Sequence, residues 1–131
     1  MLTAALLATA LLFGGMALFS FGFAAFVFSA LPAEAAGPTI RRAFPHFYLF
    51  VMGAAALAAA LLWAHDATGA AMLAAVAIST VPTRQALMPA INHAADAGDR
   101  ARFRRLHGLS VAITLGHLAL TAAVLARFVG A

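Results

Sequence analysis

Leu2–Ala30 reads LTAALLATALLFGGMALFSFGFAAFVFSA, without one charged side chain or histidine. As a helix this run would extend about 43 Å, more than the roughly 30 Å of a bilayer's hydrocarbon core. It is too long and too evenly apolar for a strand of a membrane barrel, which needs about 9–11 residues of alternating character. Ala33-Glu34-Ala35 looks like a signal-peptidase site. However, no basic residue precedes the run, and it far exceeds the 7–15 residues or so of a signal-peptide core. The stretch therefore reads as an uncleaved transmembrane helix.

Three more apolar runs follow, at about Pro45–Ala64, Ala67–Met88 and Leu106–Phe128, and none contains Asp, Glu or Lys. Over all 131 residues, 65% are apolar and 9% charged, with a mean hydropathy of +1.00. Average soluble domains carry about 45–50% and about 25%, so this chain cannot cover a soluble surface with polar groups. The expected fold is all-α: one domain over residues 1–131, an integral membrane four-helix antiparallel transmembrane bundle joined by short loops.

The net charge of +4 comes from eight basic residues, all Arg, against Glu34, Asp66, Asp96 and Asp99. Arg41 and Arg42 fall in the expected first loop. Arg100, Arg102, Arg104 and Arg105 fall in the third, with Arg84 at its membrane edge, while the other side has only Arg127 near the C-terminus. The positive-inside rule places loops one and three in the cytoplasm and both termini in the periplasm of a bacterial inner membrane. Tyr48 and Trp63, about 22 Å apart by helical rise, suit the two interfaces.

Punctuation sets the expected helix ends. Pro45 fits a first turn, where its missing N–H costs nothing. Pro82 should kink the third helix, with Ser79, Thr80 and Thr83 available to the freed carbonyl, and Pro89 should close it. Gly98 marks a break, and Asp99 is a fitting N-cap for the fourth helix. On that helix Ser110, Thr114, His117 and Thr121 share one arc of about 60°, which should face inward, with Phe103 and Leu106 continuing the face. Small-residue stripes, Ala4, Ala8, Gly15, Gly22 and Ser29 on the first helix and Gly53, Ala56 and Ala60 on the second, offer close approach.

Four segments together carry a family resemblance: Gly14-Gly15 before an aromatic-rich span, Arg42-Ala43-Phe44-Pro45-His46-Phe47-Tyr48, Leu87-Met88-Pro89-Ala90-Ile91-Asn92, and Arg102-Phe103-Arg104-Arg105-Leu106-His107-Gly108-Leu109-Ser110. The chain resembles a bacterial domain-of-unknown-function membrane family related to human transmembrane protein 205, grouped loosely with copper-resistance protein D-like and protoporphyrinogen-oxidase-like membrane proteins. The resemblance implies four spans and no established reaction, and makes haem or metal worth testing. Thr114 departs from it, standing where similar sequences often carry Asn.

His117 lies about 16 Å along the helix from Leu106, near mid-bilayer, and an ionisable residue at that depth is a functional hypothesis by default. It is an axial ligand to haem b, a proton-relay group, or a neutral imidazole bonded to a hydroxyl of another helix; no second histidine reaches its depth, so bis-His haem would need a partner copy, and His107 is a separate cofactor-binding candidate. Met16, Met52 or Met72 offer soft ligands for haem iron or copper, or simply pack. His46, His93 and His107 share the cytoplasmic end and would suffice for a metal if they converge. Asn92, Arg102, Arg105, Ser110 and Arg84 are the candidates for a ligand or an anionic lipid headgroup.

The arginines spread around the helix, so no nucleic-acid stripe forms. No phosphate loop, intramembrane carboxylate pair or cysteine is present, and Ser110 with His107 lacks an acidic orienter, so no catalytic group is assigned. The leading reading is a small non-enzymatic accessory or binding protein with a polar cytoplasmic cluster, whose partner is the lipid bilayer. The alternatives are haem or copper binding, and transport by a homo-oligomer or larger membrane complex.

Overall fold

The structure is a computed structural model that describes residues 1–130. It is all-helical, with four helices. Helix α1 is Leu2–Ala30, α2 is Ala33–Leu62 and α4 is Arg100–Val129, and these three are long and apolar enough to cross a membrane. Helix α3 runs as Ala67–Pro82, Thr83–Leu87 and Met88–Asp96 without a break. Each helix packs on its chain neighbours and α4 returns to α1, which closes the ring of an antiparallel bundle.

The helix ends follow local chemistry. Leu31 is extended (φ −110°, ψ 150°) ahead of Pro32, as a residue before proline prefers, and this stops α1. Asp66 caps α3 by accepting from the Gly69 N–H at 3.0 Å. Asp99 caps α4 by accepting from the Arg102 N–H at 3.1 Å. Between α3 and α4, Gly98 takes φ +69°. Its N–H donates to Ala95 at 3.2 Å and that of Asp99 to Ala94 at 3.0 Å. That paired closure needs a left-handed residue, and glycine supplies it without penalty.

Several expectations are corrected. Helix α2 starts at Ala33 instead of Pro45, so Arg41 and Arg42 stand on a helix and the first loop shrinks to Leu31-Pro32. Pro38 and Pro45 lie inside α2 because Ala36 and Ile40 pack on Val27 of α1, and that burial offsets the lost backbone bonds. Pro89 does not close α3, which continues to Asp96. Tyr48, now in the middle of α2, is only 6% exposed and is no interfacial anchor, whereas Trp63 is exposed. The stripe Gly53, Ala56 and Ala60 faces outward; the inward face of α2 is Val51, Ala55, Ala58, Ala59 and Leu62.

The main core joins Ala5, Leu12 and Met16 of α1, Val51 to Leu62 of α2, Ala70, Leu73 and Val76 of α3, and Leu118 and Val124 of α4. Thr9, Thr80 and Thr121 sit in this core with their hydroxyls donated to the carbonyls of Ala5, Val76 and His117 at 2.7 Å, so each is satisfied by its own helix. Gly15 lets α1 approach α2: a Cβ there would stand 2.5 Å from the Phe50 ring.

Both odd-numbered helices widen at one level. The α-helical stretches Leu2–Ala17 and Ala67–Pro82 each hold 16 residues before passing into π-helical turns, Leu18–Phe23 and Thr83–Leu87. Helices α1 and α3 run in parallel, so both wide turns lie about 24 Å from the end that carries Asp66.

Candidate functional site

Beyond that level the bundle parts into two hairpins. The second half of α1 stays on α2, and Met88–Asp96 stays on α4, while the contact between α1 and α4 lies chiefly along Leu2–Ala17. Between the hairpins lies a cleft of about 840 Å³, lined by all four helices. Small-ligand sites commonly occupy roughly 300–1,000 Å³. The α2–α3 side is bridged: Arg41 Nη1 donates to Asp96 Oδ1 at 2.9 Å, and Arg84 Nε donates to the Pro45 carbonyl at 3.3 Å. The α1–α4 side is bordered by exposed Phe21 and Phe28 on one helix and Val111 and Leu115 on the other.

One wall is aromatic. Phe19, at the π-helical turn, stacks on Phe47 with centroids 4.1 Å apart and 7° between planes, and meets Phe44 edge-on at 5.2 Å. Tyr48 packs beside Phe44 and Phe47 at 5.6 and 5.5 Å. On the opposite wall Phe103 stacks on His107 at 5.6 Å with 4° between planes.

The polar lining differs in kind from the rest of the helical interior. Ser20, Tyr48, Asn92 and Thr114 line the cleft, and none has a side-chain hydrogen bond among the described residues. No fully enclosed side-chain polar atom lacks a partner, so these four groups are open to whatever enters. A polar group left unpaired away from water costs about 1–3 kcal/mol, so these four call for water or another partner within the cleft. Formal charge is restricted to the outer part of the lining, at Arg41, Arg42 and Asp96.

Of the residues singled out from sequence, Asn92, His107 and Ser110 line this cleft, and Ser110 donates to the His107 carbonyl at 2.8 Å. Arg84 lies behind it on Pro45; Arg102 and Arg105 are exposed on the first turns of α4, outside the lining. The inward stripe of α4 is present, with His117 and Thr121 buried and Ser110 and Thr114 half-buried. His46, His93 and His107 do not converge: among the described residues no three His, Cys, Asp or Glu side chains gather as a metal site. Missed from sequence were Ser20, Tyr48 and the aromatic wall. The aromatic spacing Phe44, Phe47, Tyr48 was a signal, masked by starting α2 at Pro45.

His117 sits on the α3–α4 interface, its Nε2 2.8 Å from Ser79 Oγ. That hydroxyl donates to the Ala75 carbonyl at 2.6 Å. It therefore accepts from an Nε2–H, which places a proton on Nε2 by the bonding pattern. Ligation of a metal or haem through Nε2 would have to break this bond.

The far end is closed by a different device. Asp66, outside the helices, receives two hydrogen bonds from Arg127, one from Nε and one from Nη2 at 2.7 Å, besides capping α3. The Arg127 guanidinium, with help from the Gly69 N–H, holds the Asp66 carboxyl down at about 2.

A family with the description "Domain of unknown function (DUF4149)" matches residues 7–100, which takes in most of α1, all of α2 and α3, and ends where α4 begins. Neither a curated protein nor a solved structure matches the chain.

Proposed function

Given that the chain belongs to the family described as a domain of unknown function (DUF4149), we propose from its geometry that it is a non-enzymatic binding protein of the bacterial inner membrane. Its inter-hairpin cleft takes up a small amphiphile from the bilayer. The observation that carries this reading is the set Ser20, Tyr48, Asn92 and Thr114, unpaired polar groups on one cleft whose remaining surface is apolar and aromatic. An amphiphile satisfies both kinds of surface, and the gap between α1 and α4 offers it a sideways route.

In this reading α3 crosses with the other three helices, between α2 and α4. The end with Arg41, Arg42 and the α4 arginines faces the cytoplasm, and both termini face the periplasm. Arg102 and Arg105 serve as contacts to anionic headgroups, fixing the depth of the cleft in its leaflet, whereas Arg84, in the wide turn of α3, ties that helix to the Pro45 carbonyl. His107, with Phe103 flat against it, forms the movable outer wall.

Purification in mild detergent followed by mass spectrometry of the extracted lipids tests the proposal. The wild type is expected to carry a near-stoichiometric amphiphile that Thr114→Phe, which fills the cleft, loses. Equal retention by the folded variant would overturn it. A reporter inserted at Ala97–Asp99 should report a cytoplasmic position; a periplasmic signal would reverse the orientation.

A further inference from the structure

We propose that the ligand of this cleft is a neutral lipid with a carbonyl-bearing ring, of the prenylated quinone class, held ring-inward. The inference rests on the cleft reading above and goes further by naming the ligand. Tyr48 lies 15 residues into α2 and Thr114 lies 14 residues into α4, counted from Ala33 and Arg100. Along their helices Tyr48 lies about 9 Å beyond Arg42 and Thr114 about 14 Å beyond Arg105, so both are deeper than the charged groups. Ser20 belongs to the π-helical turn at a similar level.

Open hydroxyls on membrane-spanning helices, deeper than the arginines, discriminate among lipids. A phospholipid keeps its oxygens near the headgroup and offers only methylenes at this depth, so the hydroxyls would stay unpaired at a cost. A lipid whose polar part is a ring inside the hydrocarbon presents oxygen acceptors where Tyr48, Thr114 and Ser20 can donate. The Phe19 and Phe44 rings, backed by Phe47, give the ring an aromatic surface on which to stack. Charged lining groups are confined to the mouth, so the inner part suits an uncharged ligand. The tail then leaves between Phe21 and Leu115 into the bilayer.

The test is titration of purified protein in detergent with decylubiquinone, read by calorimetry, with phosphatidylglycerol as the second probe. Saturable decylubiquinone binding is expected, weakened about tenfold in Tyr48→Phe/Thr114→Val, as the loss of two modest hydrogen bonds implies. Ser29→Ala, on the exposed end of α1, should bind like wild type. The near-isosteric double variant is paired with a melting measurement to separate unfolding from lost recognition. Tight quinone binding that ignores the double variant would overturn the ring-inward placement. Binding of phosphatidylglycerol alone would overturn the quinone assignment while leaving an amphiphile cleft intact. Binding of neither probe, with no copurifying lipid, would overturn both readings.

Discussion

At the Asp66 end, α1 touches α4, and Ala5, Leu12, Ala55, Ala58, Leu73, Val76 and Val124 interlock with almost no exposure. At the Gly98 end, the same four helices stand apart around a cleft. The difference comes from backbone more than from hydrophobicity. The closed end is built from regular α-helix with small side chains that let axes approach. The open end begins where α1 and α3 widen at one level, and its neighbouring segments carry Pro38, Pro45, Pro82 and Pro89. Wide turns of this kind often mark functional positions, because they re-aim side chains that a regular helix would place elsewhere.

Large-to-small substitution should break the comparison most visibly. Leu73→Ala removes a side chain with no exposed surface and should cost about 2–5 kcal/mol, read by reversible unfolding in mixed micelles. Ile91→Ala, on the cleft lining, should cost about 1 kcal/mol or less, because it enlarges a space that already exists. Equal losses would mean that the two ends are packed alike.

The next largest effect lies at the α1–α2 contact. Gly15→Val would drive its Cβ into the Phe50 ring and should destabilise by about 1–3 kcal/mol. Gly53 belongs to a matching stripe in the sequence, yet a Cβ there meets nothing within 4 Å. Gly53→Ala should therefore be neutral, or stabilise by up to about 1 kcal/mol through helix propensity. A reversal of this order in thermal melting would overturn the assigned faces.

These two glycines show what was legible in the sequence. Hydropathy revealed four helical runs, since oil-solvated residues need no alternation to be recognised. The inward face of α4 was readable because Ser110, Thr114, His117 and Thr121 are polar among apolar neighbours. In α2 the contrast fails: Ala54, Ala55, Ala56, Ala58, Ala59 and Ala60 surround the helix with one residue type, so periodicity cannot choose between Ala55 and Ala56. The helix start was misplaced because proline carries a local rule, whereas Ala36 and Ile40 stabilise α2 through a tertiary contact with Val27. The cleft was legible only in part. Asn92, His107 and Ser110 advertise polarity, but the widening at Leu18–Phe23 has no composition signal, and Tyr48 looked like an interface residue until its depth was known.

Acid should act on the closed end through Asp66. Asp66 titrates near 2 in the folded protein, below its ordinary value near 4. The unfolded chain therefore takes up the proton first as pH falls. The contribution of Asp66 to stability is complete above about pH 4 and disappears as pH drops through about 2. Stability measured across that window should fall more steeply for wild type than for Asp66→Asn. Parallel curves would show that the Arg127 contact does not persist in solution.

A small change in stability should come from Asp96→Asn. Its partner Arg41 and Asp96 itself are both well exposed, and surface pairs of this kind contribute about 0–1 kcal/mol. Its informative effect is on motion. The Arg41–Asp96 bond spans α2 and α3 at the cleft mouth, and its loss leaves Arg84 on the Pro45 carbonyl as the remaining polar tie between the hairpins on that side. Because the chain has no cysteine, Thr114→Cys provides a single thiol on the cleft wall. A water-soluble maleimide should label it faster when Asp96→Asn is also present, while melting hardly changes. If the labelling rate stays fixed, the ion pair is decoration at the mouth, and the width of the cleft is set by the π-helical turns below it.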